Sequence, residues 1–141
     1  MNRIILKAIL LPLLFCACNL PGRHADEDMQ QPVYGINWYL QKIYQPGGNM
    51  EIKKPMAYIS FDAAKKTASG NGGCNRFGSN CRLEGKKISI REMFSTEMYC
   101  VDYQSQEDLY FRKLQDVNRY EVKDGKLLLY RDNELLLEFG K

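Results

Sequence analysis

From residue 33 onward the chain alternates short apolar runs with turn residues, a pattern of hairpins rather than of strand–helix–strand crossovers. Residues 38–44 form a strand candidate that ends at the loop Gln45-Pro46-Gly47-Gly48-Asn49. In residues 57–62 the odd positions are apolar, which turns Ile59 and Phe61 toward a core and Tyr58 to the opposite face. Residues 67–71 read as a short strand leading into Gly70, Gly72 and Gly73. Residues 78–83 and 86–91 flank Glu84-Gly85 as a hairpin, with Ile88 and Ile90 sharing a face. Residues 118–123 and 126–130 flank Asp124-Gly125, a type I′ signal because both turn positions need positive φ. Asp132-Asn133 then reverses the chain into residues 135–139, so the sequence closes on a three-stranded meander.

One segment has helical period. Ser105 with Asp108 three residues later fits a capping box, and Tyr110, Phe111, Leu114 and Val117 recur on one face of residues 105–117. That stripe reads as core to be docked on the sheet. The runs Leu127-Leu128-Leu129 and Leu135-Leu136-Leu137 do not alternate, which predicts a meander apolar on both faces, one toward the helix and one toward a barrel interior.

Composition sets the size of the problem. The 141 residues, 45% hydrophobic and 26% charged, suit one folded domain and leave no room for a two-domain nucleotide enzyme. The formal charge of +3 includes Arg3 and Lys7; without them 18 cations face 17 acids, leaving +1 and no basic field for nucleic acid. Residues 1–17 have the form of an export signal: two early cations, an apolar stretch interrupted by Pro12, then small residues before a cysteine. The stretch falls short of the roughly 20 apolar residues that a membrane-spanning helix needs.

Phe15-Cys16-Ala17-Cys18 resembles the bacterial lipobox, in which a small residue precedes a cysteine whose thiol accepts a diacylglyceryl group. On that reading Cys18 is the lipid attachment site and first mature residue, Cys16 being a worse acceptor behind bulky Phe15; ordinary signal cleavage with two incidental cysteines is the alternative. Two or more acyl chains would anchor the chain stably in a membrane. Residues 18–32 read as a flexible tether with almost nothing to bury, Arg23 and His24 included. Its Asp26-Glu27-Asp28 triplet reads as solvation and also resembles acidic signals that send some bacterial lipoproteins to the outer surface. Residues 33–141 form the domain. The expected location is the bacterial cell envelope, lipid-anchored at the outer membrane, periplasmic or surface-exposed.

Candidate chemistry is sparse. Gly70-Asn71-Gly72-Gly73-Cys74-Asn75-Arg76-Phe77-Gly78 has glycines for a tight path and Asn75 to satisfy turn amides, but lacks the lysine and hydroxyl of a phosphate loop. No histidine lies in the domain, no Cys-x-x-Cys occurs, and Glu97 and Asp102 read as loop charges, so no catalytic, cofactor-binding or metal residue is predicted. With Cys16 removed and Cys18 acylated, Cys74, Cys81 and Cys100 remain, an odd number that allows one internal bridge at most. Cys81 shares a strand face with Leu83 and reads as a buried thiol.

The run Gly73-Cys74-Asn75-Arg76-Phe77, the run Ser95-Thr96-x-Met98-x-Cys100, the following helix, Trp38-x-Leu40 and the leucine-rich ending together resemble the META domain, a family with HslJ-like exported lipoproteins. The resemblance covers about residues 36–139; Tyr99 and the extra Cys81 depart from its pattern. It implies a mainly β fold with one helix (α+β), a small antiparallel, strongly curved sheet or partly closed barrel with one packed helix. It also implies a Cys74–Cys100 disulfide between neighbouring strands, and structural roles for Gly73, Asn75, Arg76, Phe77, Thr96 and Met98. Arg76 is expected to clamp neighbouring carbonyls or a carboxylate. The family association is with heat and antibiotic tolerance and with no established catalysis. The expected function is therefore a non-catalytic interaction or stress-protective module, monomeric, with a membrane and an unknown envelope protein as partners. The alternative is a binder of a small hydrophobic ligand in the barrel interior, and an enzyme ranks third.

Overall fold

A computed structural model describes residues 32–52 and 56–141; the leader, Cys18 and the tether as far as residue 31 lie outside the described residues. Nine strands and one helix follow in order: β1 Trp38–Ile43, β2 Met50–Glu51, β3 Tyr58–Asp62, β4 Thr67–Asn71, β5 Arg76–Glu84, β6 Lys87–Ser95, α1 Gln104–Asp116, β7 Arg119–Lys123, β8 Lys126–Arg131 and β9 Glu134–Gly140. All pairings are antiparallel, and neighbours in sequence are neighbours in the sheet from β3 to β9. Strand β1 takes β2 and β3 along one edge and β9 along the other, so the curved sheet is bonded into a ring. Its narrowest seam is β6–β7, where Lys87 faces Arg119 and two further backbone bonds, Ile88 N to Asn118 O and Tyr120 N to Lys86 O, flank that pair.

The alternation in β3 holds: Ile59 and Phe61 are buried while Tyr58 is half-buried on the other face. Asp124 (φ 52°) and Gly125 (φ 76°) form the turn their sequence demands. The β5–β6 turn is displaced by one residue from the Glu84-Gly85 expectation. Glu84 pairs with Lys87, which leaves Gly85 (φ 58°) and Lys86 as the loop, adding Glu84 to β5 and starting β6 one residue later. Strand β2 has no counterpart in the sequence pattern, because two residues are too few for a period.

The leucine runs need correction. Leu127 and Leu129 are fully buried with Leu128 half-buried between them, so β8 alternates after all. In β9, Leu129 pairs with Leu137 and Tyr130 with Leu135, leaving Leu136 as an extra residue at a bulge. Two residues opposing one allow Leu136 and Leu137 both to be buried without an apolar outer face. The helix docks on the same core: Tyr110 and Leu114 are fully buried with Trp38, Leu40, Ile59, Leu127, Leu129, Leu137 and Phe139 in one cluster. It packs against β6 and β9, with the Tyr110 ring 6.1 Å from Phe77 and 6.1 Å from Phe139.

The capping box is not made. The helix starts one residue earlier than its sequence suggests, with Tyr103 at the N-cap and no side-chain cap; Ser105 therefore lies inside the first turn. Cys100 O instead accepts from Tyr103 N and Gln104 N, closing the chain into the helix through backbone bonds.

Candidate functional site

The two sequence runs that stood out, residues 73–77 and 95–100, meet at the start of α1. Gly72 and Gly73 bring the β4–β5 loop close to the helix: a Cβ on Gly72 would stand 2.6 Å from Glu107 Cγ and 2.6 Å from Phe111 Cζ, and Gly73 holds φ 121°. That approach aims backbone donors at Glu107. Its Oε2 accepts from Cys74 N at 2.9 Å and Asn75 N at 2.6 Å, while Oε1 accepts from Asn75 Nδ2 at 2.6 Å. Glu107 is only 1% exposed, so these bonds replace the water that a carboxylate would otherwise hold. Its place in the first helical turn adds the favourable end of the helix dipole.

Asn75 carries the network onward. Its Nδ2 also donates to Met98 O at 2.9 Å, and its Oδ1 accepts from Met98 N at 2.8 Å and Thr96 Oγ1 at 2.7 Å. One buried side chain thus clasps both backbone groups of Met98 as a strand partner would, and accepts from the Thr96 hydroxyl besides. Thr96 N donates to Arg76 O and Arg76 N to Thr96 Oγ1, so Arg76 participates through its backbone. Its expected side-chain clamp is absent: the residue is exposed and its guanidinium has no bonded partner among the described residues. The acceptors it was expected to meet are satisfied by Asn75 and by main chain.

Cys74 and Cys100 are joined in a disulfide with Cα atoms 6.0 Å apart. It links two loops and not two strands, as Cys74 precedes β5 and Cys100 precedes α1. With a sequence separation of 26 between its ends, chain entropy gives it about 3.5 kcal/mol. Phe77 turns inward as part of the core, its ring 5.4 Å from Phe111. Cys81 is a buried free thiol on β5, and burial pushes its pKa up to about 11.

Held by this network is an outward-facing segment. Phe94 (72% exposed), Met98 (57%), Tyr99 (77%) and Val101 (79%) stand in solvent, with Phe94 lying over Gly78. A shallow groove of about 430 Å³ runs between residues 95–99 and the helix, lined by Asn75, Glu107, Asp108 and Phe111. Glu97 and Asp102 are exposed loop charges. Among the described residues no group of three His, Cys, Asp or Glu side chains is placed to hold a metal. Sequence reasoning missed Glu107 altogether. The signal was available: an acid three residues before Tyr110 and seven before Leu114 sits within the apolar stripe, where only a paired acid can stay.

The family model for the META domain matches residues 31–141. The chain belongs to the META domain family. Among solved structures this META domain is similar to an NMR structure of a protein from Burkholderia xenovorans (22% identity, TM-score 0.62, covering 99% of this chain and 97% of that one). It is also similar to a crystal structure of a DUF4847 family protein from Bacteroides vulgatus ATCC 8482 (16% identity, TM-score 0.55, 77% and 93% covered). A second NMR structure matches at 21% identity with TM-score 0.52, over 73% and 86% of the two chains. These likenesses share the META domain's fold. None of the curated proteins compared with the chain matches it.

Proposed function

We propose that this META domain is a non-catalytic interaction module of the bacterial envelope, carried on a lipid at Cys18 and serving a stress-protective role such as heat or antibiotic tolerance. The observation that carries this reading is the use made of the Glu107–Asn75 network and the disulfide. Their bonds are all internal, so Glu107, Asn75 and the two cysteines are spent on holding a loop whose Met98, Tyr99 and Val101 are exposed. Ordered apolar side chains on a fixed backbone are the anchor groups of a binding surface. The hydrophobic-ligand alternative gains no support from the interior. Trp38, Ile59, Leu127, Leu129, Leu137 and Phe139 fill it as one fully buried cluster.

A photo-crosslinking side chain placed at Tyr99 or Val101 and, as control, at Glu121, in intact cells tests the surface. Discrete adducts of one mass from the first two positions alone are the expected result; equal smears from all three refute a specific surface. Labelled palmitate incorporation tests the anchor separately, and label that survives Cys18→Ala refutes it.

A further inference from the structure

Charge along this chain is segregated in a way that its net of +3 conceals. Residues 63–91 hold seven cations and a single acid, Glu84, whereas residues 92–116 hold six acids and two cations. Strand register gathers the cations. Asn80 pairs with Arg91 and Arg82 with Ser89 on β5–β6, and Thr67 pairs with Asn80, which hangs the β3–β4 turn with Lys65 and Lys66 over the same outer face. Cys81 N donates to Lys66 O at 2.8 Å, fixing that turn. Lys65, Lys66, Arg82 and Arg91, with Asn80 and Ser89, line an open groove of about 440 Å³.

Acids stand only at the margins of this groove: Asp62 beside Lys65, Glu84 beside Arg82, and Glu92, whose carboxylate accepts from Asn80 Nδ2 at the groove itself. Lys65 reaches Asp62 at 3.5 Å and Arg82 reaches Glu84 at 3.8 Å, but these cations are 77% and 69% exposed and such pairs are weak. Lys66, Lys86, Lys87 and Arg91 make no ion pair among the described residues. Elsewhere the sheet matches its charges, as in Lys42–Glu51, Lys126–Glu138 and Arg131 with Asp116 and Glu134. The chain also enters beside this face: Tyr34 lines the adjoining cleft with Lys66, Arg82 and Glu84. Phe94 follows Arg91 by three residues on β6, roughly 10 Å along the strand. Residues 19–31 between Cys18 and this entry point reach at most about 45 Å.

We propose that the basic face of β5–β6 and the β3–β4 turn docks on an anionic phospholipid bilayer, with headgroup phosphates lying along Lys65, Lys66, Arg82 and Arg91. This setting rests on the anchored reading of Cys18, but the electrostatic contact does not require an acyl chain. A basic patch is the second signal that a lipid anchor commonly combines with.

The test uses a polypeptide running from Asn19 to Lys141, which lacks the acyl acceptor and leader but retains the whole described core from Val33 to Phe139. Sedimentation with vesicles of phosphatidylglycerol and phosphatidylcholine, or of phosphatidylcholine alone, reads the contact. Binding to the anionic vesicles only, falling steeply between 50 and 200 mM salt, is expected on the order of screening by a Debye length near 10 Å. Lys66→Gln with Arg91→Gln should lower partitioning roughly thirtyfold. Arg112→Gln with Lys123→Gln removes the same net charge and should leave it unchanged, with thermal unfolding of both pairs checked against the parent. Absence of binding, an equal loss in both pairs, or equally tight binding to a DNA duplex overturns the proposal. So does binding only after the chain is shortened to begin at Met29, because the Asp26-Glu27-Asp28 triplet would then be the occupant. Palmitate labelling reads the anchor independently.

Discussion

Replacing Glu107 with glutamine exchanges one oxygen for an NH₂ group and should cost this domain a large fraction of its stability. Both carboxylate oxygens accept: one from two backbone amides, the other from Asn75 Nδ2. A glutamine can offer one oxygen only. If that oxygen keeps the amides of Cys74 and Asn75, the new NH₂ faces the Asn75 NH₂, donor against donor. Rotating Asn75 to relieve the clash turns its NH₂ onto Met98 N and its oxygen onto Met98 O, which breaks two further bonds. The polarity of the network therefore has a single solution. Losing one charge-assisted bond, leaving a buried donor unmet and weakening the two remaining bonds amounts to about 2–3 kcal/mol. For a domain of this size that lowers the Tm by roughly 8–12 °C. Urea unfolding followed by circular dichroism with the disulfide intact measures the loss, and amide exchange at Cys74 and Asn75 should accelerate with it. Glu97→Gln, an exposed acid of the same segment, serves as control and should change stability by less than about 0.5 kcal/mol. If Glu107→Gln proves as silent as the control, the network does not hold the loop.

Gly72→Ala places a methyl 2.6 Å from Glu107 and Phe111 and should destabilise by about 1–3 kcal/mol, measurable in the same unfolding assay. The Cys81 thiol, raised to about 11 by burial, favours its protonated form in the folded state. Unfolding releases that proton from about pH 8.5 upward, so this contribution to stability is intact below pH 8 and declines toward pH 11. Cys81→Ser should flatten that decline; native iodoacetamide labelling at pH 8 should be negligible beside labelling in urea. Tyr110 is wholly buried with no partner for its hydroxyl among the described residues, so Tyr110→Phe should leave stability unchanged or raise it by about 1 kcal/mol in thermal melts.

Much of the architecture was legible because its causes are short-range. Period-two burial at Ile59 and Phe61, the positive φ of Asp124 and Gly125, and the stripe of Tyr110 and Leu114 all depend on residues within a few positions of one another. Turn residues punctuate the strands for the same reason, and a misplacement such as that at Gly85 shifts a hairpin by one residue without changing its partners. What the tertiary structure decided is where distant groups meet. Glu107 is an ordinary helical acid until the Gly72-Gly73 turn, more than 30 residues earlier, supplies the donors that let it be buried. Leu136 is a core residue only because β8 and β9 pair through a bulge, and the cations of residues 63–91 are a surface only because register sets Lys66 and Arg82 beside Arg91. Periodicity and turn preference are properties of neighbours along the chain, whereas hydrogen-bond satisfaction and charge compensation belong to neighbours in space.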